Sequence, residues 1–362
     1  MTIVGAAGAG ARPAGGAFTV QCAVPMDATD RVQLGHGSGG RLSASLIERT
    51  FLAALDNPAL AALGDGAVVE VGPTTVVVST DSFVVTPLEF PGGNIGSLAV
   101  HGTLNDIAMM GARPVCLTAG FVLEEGLPFA TLDRIVSAMA AAARAAGVPI
   151  VAGDTKVVER GKADGMYINT TGVGLADGDF CPGPGLARPG DAVIVSGAIG
   201  RHGMAIMAAR EGLEFESAIT SDSACLVPLV EGLKAAGQRA HVLRDPTRGG
   251  VASALNEIAA ASRVGIELRE DAIPVPDDVR AACEMLGLDP LYVANEGVLL
   301  AIVPEEETSA VLDILRAHPV GAQAVRIGRV LSEPARTVYV RTGLGGTRIV
   351  DLLPGDQLPR IC

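Results

Sequence analysis

The chain has 362 residues, of which 49% are hydrophobic and 19% charged, with 46 glycines, no tryptophan and a formal net charge of -13. This length suits two domains of ordinary size, and the composition is that of a folded rather than a disordered protein. The negative charge argues against nucleic acid as a partner, because binding a phosphate backbone requires lysine and arginine. No apolar run reaches the roughly 18 residues that a membrane span requires.

The N-terminal segment 1–30 is rich in alanine and glycine but lacks the basic region and apolar core of a signal peptide, so we expect a flexible extension. Met26 is an alternative start to Met1. The six cysteines are far apart and form no CxxC pair, which argues against a disulfide framework or a zinc site. A cytoplasmic protein is therefore expected. The cysteines are Cys22, Cys116, Cys181, Cys225, Cys283 and Cys362.

The first half of the chain predicts alternating strands and helices. Runs of β-branched residues and helical periodicity predict strands over 74–85, 115–123, 148–152 and 166–175, and helices over 95–110 and 132–146. A segment dense in proline and glycine lies between residues 178 and 191 and predicts a domain boundary. We therefore expect an N-terminal domain over residues 31–180.

A second domain is predicted over residues 190–348. Its predicted strands cover 192–196, the region near Ile266, 292–303 and 326–331, and its helices cover 204–210, 226–236, 305–317 and the stretch after DPTRGG. No internal repeat is visible. The end of the chain, DLLPGDQLPRIC, contains two prolines and a glycine, which predict a mobile tail over 349–362. The expected fold class is α/β with two domains.

Three aspartates occupy positions where a carboxylate is costly unless it is used. Asp81 and Asp154 follow apolar strands, and Asp106 lies on an apolar predicted helix. Mg²⁺ binds carboxylate and phosphate oxygens together, so these residues are candidate ligands in an acidic nucleotide-binding protein. Helix capping and turn formation remain the alternative explanation from spacing alone.

Two glycine-containing turns are candidate anion sites. GHGSGGRLSASLIE, from Gly35, nearly matches a Walker A motif, but Arg41 and Leu42 replace its Lys-Ser/Thr pair and argue against an ordinary P-loop. His36 within it is a candidate phosphate donor or an ordinary loop histidine.

The second turn, DPTRGG, places Asp245 and Arg248 at a predicted helix start. Such a turn suits a phosphate or acyl group, although a helix start without a ligand explains it equally well.

Two further charged residues interrupt apolar sequence: Lys156, which follows Asp154 by two residues, and Glu296 in YVANEGVLLAIV. A lysine beside a phosphate neutralises developing charge, and a half-buried glutamate with a raised pKa moves protons near neutral pH. A salt bridge or a turn position is the alternative for each.

The chain ends on Cys362, a thiol at the tip of a proline-containing segment that can enter a cleft closed to other side chains. This position indicates a thiol that carries a substrate. Prenylation does not fit, because its motif places the cysteine four residues from the end. A surface cysteine without function is the alternative.

Five blocks of the sequence, in this order, resemble the HypE family of hydrogenase maturation factors from about residue 30 to the end. The first four recur more loosely in the superfamily of aminoimidazole ribonucleotide (AIR) synthetase, selenophosphate synthetase and thiamine monophosphate kinase, whereas the last separates HypE from these. The blocks are STDSFVVTPLEFPGGNIGSLAVHGTLNDIAMMGARP, AGDTKVVERG, RDPTRGGVASALNEIA, ANEG and PRIC.

The resemblance implies a two-domain PurM-like fold. Its N-terminal AIR-synthetase-like domain would bind ATP and form a homodimer through its sheet, and its C-terminal domain would be an α/β sandwich. Residue 94 is Asn where many relatives have an acidic residue, so a metal role there is doubtful. The resemblance assigns ATP binding to His36, Asp81, Asn105, Asp106, Asp154 and Thr155, Mg²⁺ ligation to Asp81, Asp106, Asp154 and Asp65, and catalysis to Lys156, Glu296 and Cys362.

The implied activity is ATP-dependent dehydration of a carbamoyl group on Cys362 to a thiocyanate, which supplies cyanide ligands for the iron of [NiFe] hydrogenase. The implied partners are the carbamoyltransferase HypF and the HypC–HypD complex. One alternative is another synthetase or kinase of the superfamily, such as a selenophosphate synthetase, for which Cys22 would be the only N-terminal thiol. Another is a non-catalytic thiol carrier with regulatory nucleotide binding, which would not consume ATP.

Overall fold

The computed structural model describes residues 31–362 except 38, 56, 177, 179, 213–218, 354, 356–357 and 359. The chain divides into two units, 1–32 and 33–362. Of the first unit only Arg31 and Val32 are described, and both are exposed. The expectations for the N-terminal extension and for Cys22 therefore lie outside the described residues.

The N-terminal half of the larger unit contains the predicted alternation of strands and helices, preceded by short helices. All four predicted strands and both predicted helices are present, although β1, β3, β4 and the short helices were not predicted. The elements are α1 (Arg41–Leu46), a π-helical turn (Ile47–Leu52), α2 (Ala53–Leu55), α3 (Pro58–Ala61), β1 (Ala67–Val71), β2 (Thr74–Phe83), β3 (Glu89–Phe90), β4 (Gly93–Asn94), α4 (Ile95–Met109), β5 (Ala112–Glu124), α5 (Phe129–Ala145), β6 (Ile150–Val158) and β7 (Met166–Ala176).

Five of these strands form one sheet in the order β1-β2-β7-β5-β6, while β3 and β4 pair only with each other. Helix α4 packs against one face of it, where the hydroxyls of Thr103 and Thr170 are 2.6 Å apart and the Thr170 hydroxyl donates to the Ala99 carbonyl. The side chain of Asn94 caps the first turn of α4 by accepting from two backbone N–H groups. Asn94 therefore has a structural function at this helix start.

The edge strand β6 is longer than its predicted span of 148–152. Its parallel pairing with β5 continues to Val158, so Asp154 and Lys156 lie within the strand rather than at its end. Both edge strands carry exposed apolar side chains, which are unusual in a fully solvated sheet. They are Val68, Val69 and Val71 on β1 and Ile150, Val151 and Val157 on β6.

The C-terminal half contributes a second set of strands and helices. Helix α9 and strands β9, β13 and β14 were not predicted. The elements are β8 (Ala192–Val195), α6 (Arg201–Glu211), α7 (Val227–Ala235), β9 (Val242–Arg244), α8 (Gly250–Ser262), β10 (Gly265–Arg269), α9 (Asp277–Leu286), β11 (Leu300–Val303), α10 (Thr308–Arg316), β12 (Val325–Leu331), β13 (Thr337–Arg341) and β14 (Thr347–Val350).

The predicted strand 292–303 is wrong over its first part. A 3₁₀ turn, Pro290–Tyr292, begins where the Asp289 side chain accepts from the Leu291 N–H, and β11 begins only at Leu300. The intervening residues are buried without ladder pairing, because Asn295 bonds to the backbone of the neighbouring turn that contains Pro246. This irregular stretch carries Glu296 into the protein interior.

The second sheet has seven strands in the order β14-β13-β10-β12-β8-β11-β9. Helix α8 packs on it through Val251, Leu255 and Ile258, which share a core with strand residues such as Ile266. The predicted α/β class is confirmed by these two sheets and their helices. Within the described residues, every helix is too short or too polar to cross a bilayer.

Candidate functional site

Three carboxylates from distant parts of the chain meet at one point. Asp65 precedes β1, Asp106 lies on α4 and Asp245 follows β9, and one oxygen atom from each lies within 4.8 Å of the others. Asp106 is held in place by the Ser79 hydroxyl, which donates to its Oδ2 atom over 2.7 Å. Oxygen donors in this arrangement suit a hard divalent cation such as Mg²⁺.

Burial and mutual repulsion make this cluster electrostatically costly without a cation. Burial raises the pKa of all three carboxyls, and the other two aspartates raise the pKa of Asp106 further. The pKa of Asp245 is raised to about 7. Arg244 offsets part of the charge through ion pairs with Asp65 and Glu257. The residues present therefore fit a divalent cation.

Asp81 and Glu296 extend the acidic region beyond these three. Asp81 lies on β2, and burial raises its pKa while the charge of Arg248 lowers it. Glu296 is only 2% exposed, and its Oε1 atom has no hydrogen-bond partner among the described residues. Burial, followed by the charges of Asp245 and Asp81, raises its pKa well above the ordinary value. Glu296, when ionised, is therefore a stronger base than an ordinary carboxylate.

Arg248 connects the carboxylates to the end of the chain. The negative charge on Cys362 is the largest cause of its raised pKa, and the charges of Asp81 and Glu296 act in the same direction. Its guanidinium donates to the Gly37 carbonyl over 3.2 Å. Arg248 therefore links three segments: the DPTRGG turn, the glycine-rich loop that begins at Gly35, and the terminal cysteine.

A cavity of about 140 Å³ lies where these three segments meet, and Gly37, Gly40, Arg248 and Cys362 are among the residues that line it. A Cβ atom at Gly40 would come within 2.5 Å of the Leu353 carbonyl oxygen, so only glycine allows the loop to approach the tail so closely. The segments thus enclose a space that the tail itself helps to line.

The base of the tail is held by Arg41, the residue that stands where a Walker A motif has lysine. Its guanidinium forms an ion pair with Asp351 at 2.8 Å and donates to the Leu352 carbonyl at 2.9 Å. Arg41 therefore binds the tail instead of reaching towards a phosphate.

The tip of the tail pairs with the segment after β2. The Val84 N–H donates to the Cys362 carbonyl at 3.1 Å, and the Thr86 N–H donates to the Arg360 carbonyl at 3.3 Å. Arg360 also forms an ion pair with Asp164. Backbone bonds and one ion pair thus fix the direction in which the tail enters.

A buried histidine holds the residue before the cysteine. His202 is fully buried, and its Nε2–H donates to the Ile361 carbonyl at 2.9 Å, while its Nδ1 accepts from the Ser221 hydroxyl at 2.8 Å. Burial lowers the pKa of His202 to about 4, so its ring is neutral at physiological pH. With Leu358 and Ile361 also buried, the tail is docked in this structure.

Within one chain, the structure does not bring Asp154 and Lys156 to the carboxylate cluster. Their side chains are 71% and 69% exposed and form an ion pair with each other at 2.6 Å. The strand register places Asp154 in line with Ser82, one residue beyond Asp81, so its side chain lies on the face opposite Asp81. Thr155 lies between them on the same exposed strand.

Two other candidates, Asn105 and His36, form hydrogen bonds outside the cluster of three aspartates. Asn105 is fully buried on α4, where its amide donates to the Ala224 carbonyl and accepts from the Leu226 N–H. Asn105 therefore fixes the backbone around Ala224 and Leu226, directly before α7. His36 lies in the glycine-rich loop, with its Nδ1 atom 3.0 Å from the Gln33 backbone nitrogen.

The sequence interpretation missed part of the site. Asp245, interpreted as a phosphate-binding residue, joins the metal-type cluster, and its position after an apolar strand was the same signal that singled out Asp81. His202 and Arg244 were not predicted. A histidine directly before the apolar run GMAIMAA was a weak signal, and the partner of Arg244 is remote in sequence.

Replacing Asp245 with asparagine should stabilise the metal-free protein. Because the folded-state pKa of about 7 exceeds the ordinary 3.8, the native state binds more protons between these values and loses stability as pH rises through this range. We expect Asp245→Asn to raise the free energy of unfolding at about pH 8 by on the order of 1–3 kcal/mol. Urea unfolding in the presence of a chelator measures this change.

Asp313→Asn, at an exposed position of α10, is the control and should change stability little. An Asp245→Asn variant less stable than the parent at about pH 8 would show that this carboxylate is not under electrostatic strain.

Comparisons with known families and structures agree with this architecture. Residues 63–176 match the N-terminal domain, and residues 188–341 the C-terminal domain, of AIR synthase related proteins. The carbamoyl dehydratase HypE of Azotobacter vinelandii is 56% identical over 331 residues, which cover 91% of this chain and 97% of that protein.

Two solved structures are similar over almost their whole length. One is a HypE–HypF complex, whose matching chain is 47% identical with a TM-score of 0.81 and covers 85% of this chain and 100% of its own length. The other is HypE in complex with ATP, which is 51% identical with a TM-score of 0.78 and covers 90% of this chain and 98% of that one.

Proposed function

We propose that this protein uses ATP to dehydrate a carbamoyl group on its own Cys362 to a thiocyanate. The reason is that the chain belongs to the HypE family of carbamoyl dehydratases. The observation that carries this proposal is the docked tail, whose terminal cysteine lies next to Arg248, an arginine whose pKa the carboxylates of Asp81 and Glu296 also raise. A thiol delivered to such a place serves as a bound substrate rather than a surface group.

ATP and magnesium are assigned to the acidic side of the site. A similar HypE has been solved in complex with ATP, and the cluster of Asp65, Asp106 and Asp245, with Asp81 beside it, has the donors to hold Mg²⁺ there. Bound magnesium would neutralise phosphate charge. We place the phosphates between this cluster and Arg248, with His36 at the glycine-rich loop close to the nucleotide.

The chemistry divides into activation and elimination. The carbamoyl oxygen attacks the terminal phosphorus of ATP and releases ADP. Phosphorylation turns this oxygen into a good leaving group. Arg248 stabilises charge that develops next to Cys362. Glu296, whose Oε1 atom has no hydrogen-bond partner among the described residues, removes one N–H proton as the carbon–oxygen bond breaks. The other N–H proton leaves on the phosphate as hydrogen phosphate, and the nitrile forms.

The open face of the five-stranded sheet is the proposed homodimer interface. The exposed Val69 and Val71 on β1 support this assignment, because they lie on the same face as Ser82 and gain free energy when a second sheet covers them. In such a dimer the exposed side chains of Asp154 and Lys156 would be covered as well, and Lys156 would reach phosphate only through this association. Sedimentation measurements test the proposal, which requires a dimer that Val69→Lys weakens.

The remaining assignments concern partners. A similar HypE has been solved with HypF, and we propose that HypF supplies the carbamoyl group to Cys362 of this chain. The cyanide would pass to a HypC–HypD complex and become a ligand of [NiFe] hydrogenase iron. A cytoplasmic site of action fits these partners.

Glu296→Gln should preserve nucleotide binding and block nitrile formation. Glutamine keeps the size of the side chain but cannot accept a proton, so we expect the rate to fall at least about 100-fold. The measurement is mass spectrometry of the terminal peptide after carbamoylation with cyanate, which modifies thiols, followed by addition of ATP. Glu257→Gln, which alters a carboxylate paired with Arg244, is the matched control.

Nitrile formation by Glu296→Gln at the parent rate would remove this residue from the mechanism. If the parent protein itself keeps its carbamoyl group and leaves ATP intact, the chain is a carrier and not a dehydratase.

A further inference from the structure

The proposed reaction releases a proton inside a closed site. The carbamoyl group gives up its oxygen to phosphate and both N–H protons, so that carbamoyl thiolester and ATP become thiocyanate, ADP, hydrogen phosphate and one proton. That proton must leave from the base that removed it. Glu296 is buried, with its Oε2 atom close to the Gly102 position of α4, so it has no direct contact with bulk water.

A second buried carboxylate, that of Asp222, lies beside the Glu296 backbone. The Glu296 backbone N–H donates to Oδ1 of Asp222 at 3.0 Å. The Oδ2 atom of Asp222 is shielded from solvent and, like Oε1 of Glu296, has no hydrogen-bond partner among the described residues. Each of these neighbouring residues thus has one carboxyl oxygen that no described group satisfies.

The backbone around Asp222 keeps the two residues together. A Cβ atom at Gly297 would overlap with the Asp222 carbonyl oxygen, so a side chain there would push the segments apart. The Asn105 amide holds the neighbouring Ala224 carbonyl and contacts the Glu296 carbonyl at 3.5 Å. The arrangement is therefore fixed by packing from both sides.

Asp222 also borders a second cavity, which lies near the protein surface. It lines a cavity of about 210 Å³ together with Arg201, Gly297 and the exposed Gln323. This cavity has room for several water molecules. It is separate from the cavity around Cys362, since the two share no lining residue.

We propose that Asp222 is the outer carboxylate of a proton relay that connects Glu296 to solvent. Glu296 takes the N–H proton, its carboxyl passes the proton to Asp222, directly or through one water, and Asp222 releases it to water in the 210 Å³ cavity. The inference rests on the proposed dehydratase function. Burial raises the pKa of Asp222 to about 7, which suits a group that both accepts and releases protons near neutral pH.

The test is chemical rescue. Asp222→Asn keeps an oxygen acceptor for the Glu296 N–H but cannot carry a proton, so nitrile formation should slow at least about tenfold with unchanged ATP affinity. Asp222→Ala should be equally slow, and formate or acetate entering the enlarged cavity should restore its rate. Asp278→Asn, which removes the partner of Arg201 at 3.7 Å, is the control and should react at the parent rate.

A merely structural contribution of Asp222 would not respond to small carboxylates. The relay is wrong if Asp222→Asn reacts at the parent rate, or if formate and acetate leave the Asp222→Ala rate unchanged. A parent protein that forms no nitrile would instead contradict the dehydratase proposal itself.

Discussion

Replacing Cys362 with serine should eliminate every mass change at the tail while leaving the fold and ATP binding intact. The tail is held by groups that the substitution does not touch, because Val84 bonds to the Cys362 carbonyl and His202 bonds to the Ile361 carbonyl. Only the thiol is lost, and a hydroxyl is a far weaker nucleophile near neutral pH. We expect stability within about 0.5 kcal/mol of the parent.

Mass spectrometry of the terminal peptide after cyanate and ATP measures this effect. In the parent, the peptide should gain a carbamoyl group and then lose the mass of one water. Cys181→Ser, at an exposed cysteine, is the control and should behave as the parent does. A Cys362→Ser variant that still forms a nitrile on another cysteine would contradict the terminal-thiol mechanism.

Replacing Asp106 with asparagine should remove magnesium-dependent ATP binding. Asparagine retains an oxygen for the Ser79 hydroxyl but lacks the negative charge at the centre of the cluster, where Asp65 and Asp245 lie within 4.8 Å. A divalent cation loses one of its anionic ligands, and we expect the affinity for ATP to fall at least about 100-fold.

Calorimetric titration with ATP, in magnesium and again in a chelator, measures both parts of this effect. In the parent, affinity should depend on magnesium, and in Asp106→Asn that dependence should be lost. Glu257→Gln changes a nearby carboxylate outside the cluster and should bind as the parent does. Equal affinity of Asp106→Asn and the parent would remove the cluster from the nucleotide site.

The sequence predicted most of the fold because long strands and helices have a clear hydrophobic period. Helix α4 and strands β2 and β7 lie close to their predicted bounds. The missed strands β13 and β14 are short and are separated by a glycine-containing turn at residues 343–346. Each also contains an exposed arginine, Arg341 or Arg348, which weakens its hydrophobic pattern. The pairing of β13 with β10, and of β14 with β13, is set by tertiary contacts rather than by local pattern.

The site was predicted as a set of unusual residues, but not as an arrangement. Asp106 and Glu296 stand out in sequence because a charge is costly in apolar surroundings. Which carboxylates meet depends on the register of the sheet. Asp81 faces α4, whereas Asp154 is aligned with the next residue of β2, Ser82, and therefore lies on the other face. The docking of the tail by His202 was invisible because the two segments are 159 residues apart.

The most direct test of the account follows the carbamoyl oxygen. Cys362 is carbamoylated with cyanate that carries a heavy oxygen isotope, ATP is added in ordinary water, and the phosphate and the terminal peptide are analysed together by mass spectrometry. The dehydratase mechanism predicts a nitrile on Cys362 and the heavy isotope in inorganic phosphate, one atom for each nitrile formed. Heavy isotope found in water, or retained on the tail while ATP is hydrolysed, would contradict it.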